Sequence, residues 1–168
     1  GDLVVSNDWY VLYPYNEKIE YLDKTAQTSG AYLTVGAEVG KTQTQTGNDN
    51  MEHIAGKNYP MYGVVKESLS EEFPSLMMSH LTSLVEVKVT NNVGEDITVS
   101  SVSFTAPEDI CGTYFIDITS DVPAFTGSGS SYISRMATLA VEEAEPIASG
   151  ASASFYLAVK PFTAPAGS

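Results

Sequence analysis

The chain has 168 residues, and its 21 acidic against 8 basic residues give a net charge of −13. A surface of that sign repels phosphate backbones and anionic lipid, which argues against nucleic acid and direct membrane-surface contact. The length suits one domain able to bury about 70% of its unfolded surface.

Residues 1–8 are a short stub of strand. Residues 9–15, WYVLYPY, form an aromatic-rich strand with Pro14 at its end or on an edge, because proline cannot donate to a ladder. A polar loop over 16–30 leads to a strand at 31–35, ended by Gly36. The alternating KTQTQTGNDN of 41–50 reads as an extended edge segment running into a loop, and 51–57 as one helical turn. Another strand follows at 59–66, then a loop at 68–74 with a capping start at Ser70-Glu71-Glu72.

The stretch 81–105 has the strongest pattern. Val85, Val87 and Val89 alternate with Glu86, Lys88 and Thr90, placing the valines on a buried face. Residues 91–96, NNVGED, tolerate turn dihedrals, and the pattern predicts a hairpin with a return strand to Thr105. Ile97 and Val99 are in phase, but the next large apolar residues are Val102 and Phe104, so a β-bulge is expected at Ser100 or Ser101.

Next come a strand at 113–119 with Tyr114, Ile116 and Ile118 on one face, and a flexible loop at 123–131. A longer strand over 132–141, a loop over 142–150 and a final strand at 153–160 with Phe155, Leu157 and Val159 inward complete the chain. Phe-Thr-Ala-Pro occurs twice, at 104–107 and 162–165, each time after a strand. About eight short strands separated by turn signals, without a helical period, predict an all-β sandwich. No apolar run reaches the ~20 residues of a membrane-spanning helix, so no transmembrane segment is expected.

Candidate chemistry is sparse. The run from Gly36 to Thr42 ends in Gly-Lys-Thr, but three residues separate Gly36 from Gly40 where a phosphate loop needs four, and TQTQT offers no apolar helical face. His53 and His80 are the only histidines and stand far apart, against zinc. Asn48, Asp49, Asn50 and Glu52 lack the spacing of a calcium loop and read as a solvated turn. Glu71-Glu72 and Glu142-Glu143-Glu145 read as wet loop surface rather than a catalytic pair. Cys111 beside Gly112 is a small buried thiol, and as the single cysteine it forms no internal disulfide. Expected therefore are no catalytic residues, no cofactor, no metal ligands and no assigned binding residues. Ten tyrosines are the exception, since exposed aromatics stack on sugars or anchor interfaces. Tyr10, Tyr32, Tyr114 and Tyr156 are expected to cover the sandwich.

Tyr13-Pro14-Tyr15-Asn16, Gln43 and Gln45 with Asn48-Asp49 and Met51, and Tyr59-Pro60-Met61-Tyr62-Gly63 together carry a likeness. So do His80-Leu81 with the run Val85 to Asn92, and the closing Phe155-Tyr156-Leu157-Ala158-Val159-Lys160-Pro161. In combination these resemble the exported fimbrillin-like proteins (FimA and Mfa type) of Bacteroidetes, over nearly the whole chain. The resemblance implies a transthyretin-like Greek-key β-sandwich of about seven to eight strands. It also implies export as a lipoprotein to the cell surface and outer membrane, as a structural or adhesive subunit that builds or decorates a fimbria (pilus). Such proteins usually have two domains, and residues 1–168 match the N-terminal one, a single domain of a longer precursor. The second domain and a lipid-bearing cysteine are not seen in this sequence. The implied partners are other fimbrial subunits joined by donor-strand-type pairing, with the incoming strand supplied after a subunit's own N-terminal strand is cleaved away. Host or bacterial surface ligands are further implied partners. The alternative is a cell-surface glycan-binding module using exposed tyrosines or Trp9.

Overall fold

Period-two burial, the mark of pleated backbone with one dry face, runs through this computed structural model, which describes residues 7–14, 34–55, 58–68, 75–117, 124–128 and 133–164. Among them are eleven strands: β1 (Asn7–Tyr13), β2 (Thr34–Val39), β3 (Thr42–Thr46), β4 (Met61–Ser68), β5 (Ser79–His80), β6 (Ser83–Thr90), β7 (Ser101–Thr105), β8 (Gly112–Asp117), β9 (Ala124–Ser128), β10 (Met136–Glu142) and β11 (Ser152–Val159). One 3-10 turn, η1 (Glu52–Ile54), lies between β3 and β4. The fold is all-β, as expected, with more and shorter strands than the eight predicted, because several segments pair over only two to six residues. No helix among the described residues is long and apolar enough to cross a membrane.

The strands form four sheets, in the orders β1-β4-β5, β3-β10-β7, β11-β6 and β2-β8-β9. The core lies between two of them. Ala137, Leu139 and Val141 of β10 face Ala153, Phe155, Leu157 and Val159 of β11 in one buried cluster with Val39, Ile110, Cys111, Tyr114 and Ile147. Burying each large side chain of that set contributes about 1.5–3 kcal/mol. Strand β11 pairs β6 antiparallel from Ser152↔Thr90 to Val159↔Ser83. Strand β10 pairs β7 antiparallel and β3 parallel.

This topology overturns the predicted hairpin: β6 and β7 are sequence neighbours in different sheets. The reason lies in Asn91, which is fully buried. Its amide donates to Glu95 O and Ile147 O, each at 2.7 Å, and its Oδ1 accepts from Val93 N at 3.0 Å. Ile97 then bridges Ile147. Residues 91–100 thereby arch from one sheet to the other beside the β10–β11 connection instead of folding back. The phase change is present: Ser100 and Ser101 are both exposed, with Val99 and Val102 half-buried on either side. The ladder to β10 begins at Ser101, so the two serines mark the crossing and not a bulge within a hairpin.

Two other expectations change. Strand β2 continues through Gly36, paired to Phe115, because Val35 and Val39 keep the extended pattern going. Residues 124–128, expected to be a flexible loop, are β9 and pair with β8. Pro14 ends β1 as predicted. The expected loop at 16–30 lies outside the described residues, as do 69–74, with Glu71 and Glu72, of the loop expected at 68–74 and 1–6 of the stub expected at 1–8; Ser68 ends β4, and Asn7 and Asp8 open β1.

Candidate functional site

A two-sheet sandwich has two lateral seams, and here they are treated differently. The first is closed by β3. Its Thr-Gln-Thr-Gln-Thr sequence has exposed threonines and buried glutamines, and Gln43 and Gln45 reach from β10's sheet across to β11. Gln43 Nε2 donates to Ala158 O at 2.7 Å and to Gly40 O at 3.1 Å, while its Oε1 accepts from Ala158 N at 2.9 Å. Gln45 Oε1 accepts from Tyr156 N at 3.0 Å, and its Nε2 donates to Ser154 O at 3.3 Å and Gly47 O at 2.9 Å. Asp49 completes the row, with Oδ1 accepting from Ser154 N at 2.7 Å and its own N–H donating to Ser154 O at 3.1 Å.

His53 Nε2 lies 2.9 Å from Tyr156 O. A carbonyl only accepts, so Nε2 carries the proton and Nδ1 is left bare and buried without a partner. Burial lowers the pKa of His53, and the bond to Tyr156 O opposes that only in part. The β11 edge, whose groups a further strand could have taken at Ser154, Tyr156 and Ala158, is thus capped by side chains. The alternating TQTQT was read as a polar edge. The missed signal was two amides at i and i+2, each able to mimic both hydrogen bonds of a peptide group.

The second seam carries no pairing strand among the described residues. On its two rims stand β6 and β7, each the last strand of its sheet among the described residues. Antiparallel pairing alternates, so bonds already made fix which groups point outward. Val141 N donates to Ser100 O, which turns Val102 and Phe104 toward β10 and leaves the backbone groups of Ser101, Ser103 and Thr105 facing away. Asn91 N donates to Ala151 O, which leaves those of Leu84, Glu86, Lys88 and Thr90 facing away on β6. Between the rims, Val85, Val87, Val89, Val102 and Phe104 pack on the core but are only half-buried, whereas Leu139, Phe155 and Leu157 farther in are sealed. The seam therefore combines an apolar floor with two rows of outward backbone donors and acceptors. Such a pair of edges templates an additional strand.

Comparison with protein-family models, with curated proteins and with solved structures finds no match for this chain.

Among the described residues, those weighed for chemistry do not converge on a reacting centre. Gly36 lies in β2 and Thr42 opens β3, so the Gly-Lys-Thr run is strand, turn and strand. His53 caps β11, while His80 is exposed and stacks on Tyr59 with ring centroids 3.7 Å apart. Asn48 Nδ2 donates to Glu145 O at 2.9 Å, Asn50 Oδ1 accepts from Glu52 N at 2.8 Å, and Asp49 is spent on Ser154. No group of three or more His, Cys, Asp or Glu able to hold a metal occurs among the described residues. Glu142 and Glu145 are exposed.

Cys111 is sealed in the core, where desolvation raises its pKa and its thiol donates to Met136 O at 3.2 Å. Tyr114 is buried, donates to Cys111 O at 3.0 Å and has its pKa pushed up to about 12 by desolvation, so it presents no face to a sugar. Tyr156 is half-buried. The side chains of Trp9 and Tyr10, and Tyr32 altogether, lie outside the described residues.

Proposed function

We propose that this chain is a non-catalytic structural or adhesive subunit of a bacterial surface fimbria, exported to the outer membrane, which joins its neighbours by strand addition. The seam between β6 and β7 is the observation that carries the reading. An extended segment from another subunit laid there gains main-chain hydrogen bonds from outward groups such as Ser103 and Lys88, and side-chain contacts with the half-buried valines and Phe104. The capped β11 edge supports it from the other side: Gln43, Gln45, Asp49 and His53 already take the backbone groups that an added strand would need there. The motif likeness to fimbrillin-like proteins supplies the biological setting.

The test removes single outward amides. Proline at Ser103 or at Lys88 deletes an N–H that points into the seam and takes no bond from the existing ladder. Sedimentation of the purified chain, with circular dichroism as a check on fold, should show assembly reduced in S103P and K88P at unchanged strand content. Assembly equal to wild type in both variants would overturn the reading.

A further inference from the structure

The sequence carries Phe-Thr-Ala-Pro twice, and the fold brings the two copies together. Phe104, of the first copy, ends the inner row of β7. Phe162, of the second, packs on the core with its ring centroid 5.9 Å from that of Phe104, at 46°. Glu108, directly after the first copy, fastens the second: its Oε1 accepts from Thr163 N at 3.1 Å and its Oε2 lies 3.5 Å from Lys160 Nζ. Lys160 N donates to Ile110 O at 2.7 Å, which turns the chain after β11 toward the end of β7.

The contact is built differently from the rest of the sandwich. Residues 161–164 are not in a ladder; Phe162 is held by packing on the core and its ring pair with Phe104, and its neighbours Lys160 and Thr163 by one carboxylate whose side chain is 48% exposed. Partly exposed ionic contacts of that kind are weak and screened by salt. Phe162 thus lies against Phe104, at the β7 end of the seam, without main-chain pairing of its own.

Resting on the strand-addition reading above, we propose that residues 160–164 are a clasp seated in the β6–β7 seam of their own chain, with Phe162 as its plug, and that a neighbouring subunit's extended strand displaces it on entry. The clasp covers Phe104 in the lone subunit, limiting the exposed apolar surface that invites unspecific pairing, and it gives way to a ligand that brings a full ladder.

The probe is a synthetic peptide with the sequence of residues 160–165, Lys-Pro-Phe-Thr-Ala-Pro, labelled for fluorescence anisotropy and offered to the full chain. In wild type the seat is filled, which lowers apparent affinity by the fraction of open molecules. Phe162→Ala should therefore bind the peptide about tenfold or more tightly than wild type does, and should ignore a peptide with alanine for phenylalanine. Glu108→Ala, which leaves the core untouched, should shift binding in the same direction and guards against misfolding of the first variant. Equal binding by wild type and both variants, or none by any, overturns the clasp. Sedimentation of the same samples tests displacement: assembly should begin at lower concentration in Phe162→Ala, and an unchanged threshold overturns the gating. Peptide binding that persists in S103P while assembly is lost separates the clasp from strand addition.

Discussion

Gln43 and Gln45 are the residues whose removal should be felt most sharply. In Gln43→Leu the volume is kept, but Ala158 N and Ala158 O lose their partners in a fully buried place. In Gln45→Leu, Tyr156 N is orphaned, while Ser154 O keeps Asp49 N. At roughly 1–3 kcal/mol for each orphaned group, Gln43→Leu should destabilise more than Gln45→Leu, read as the loss of urea midpoint at constant m-value. The reverse order would mean that β11 is capped by something other than these amides.

His53 gives a pH signature. Its folded-state pKa lies below the ordinary 6.5, so folding favours the neutral ring. The stability it contributes is complete above pH 6.5 and is lost as pH falls through that value toward the lowered one. His53→Gln keeps a donor for Tyr156 O and cannot titrate. It should therefore flatten the fall in urea midpoint across that window, ahead of the carboxylates. None of this was legible beforehand: composition shows that glutamine and histidine are polar, but only the fold shows that they face a strand edge and not water.

At the scale of elements, intrastrand pattern was legible and interstrand partnership was not. The alternation of Val85, Val87 and Val89 and of Phe155, Leu157 and Val159 is set by local pleat, so it can be read from one segment alone. The partner of β6 is β11, more than sixty residues away, and no local feature announces it. The residues at 91–96 were read as the turn of a hairpin, but a buried Asn91 makes them an arch between sheets. Strand β9 was missed because Gly127 and Ser128 have little strand propensity, and pairing with β8 supplies what propensity lacks.

Gly63 in β4 tests another long-range contact. A Cβ there would meet Leu76 Cγ at 2.9 Å and Met77 O at 2.9 Å, because residues 75–78 cross closely over the strand. A leucine tip can swing aside, but a carbonyl oxygen moves only with its backbone. Gly63→Ala should cost roughly 1–3 kcal/mol, seen as a lowered thermal midpoint. A neutral result would show that 75–78 is not packed on β4.

For the whole molecule, charge and seam act in opposite directions. A net charge of −13 makes every approach of two copies unfavourable at long range. The seam itself is close to neutral: β7 reads Ser-Val-Ser-Phe-Thr, and β6 offsets Glu86 with Lys88. Attraction is therefore short-ranged and made of backbone bonds and apolar contact, whereas the repulsion comes from the rest of the surface and is screenable. Between ~0.01 M salt, where the screening length is about 30 Å, and ~0.15 M, where it is about 8 Å, that repulsion largely disappears, while strand pairing and burial change little. Assembly should thus tighten as sodium chloride is raised, and S103P should lose assembly at both salt concentrations. An ion-paired interface would weaken over the same range. Association that falls with salt would place the contact on some charged face and not in the β6–β7 seam, even if the subunits still polymerise.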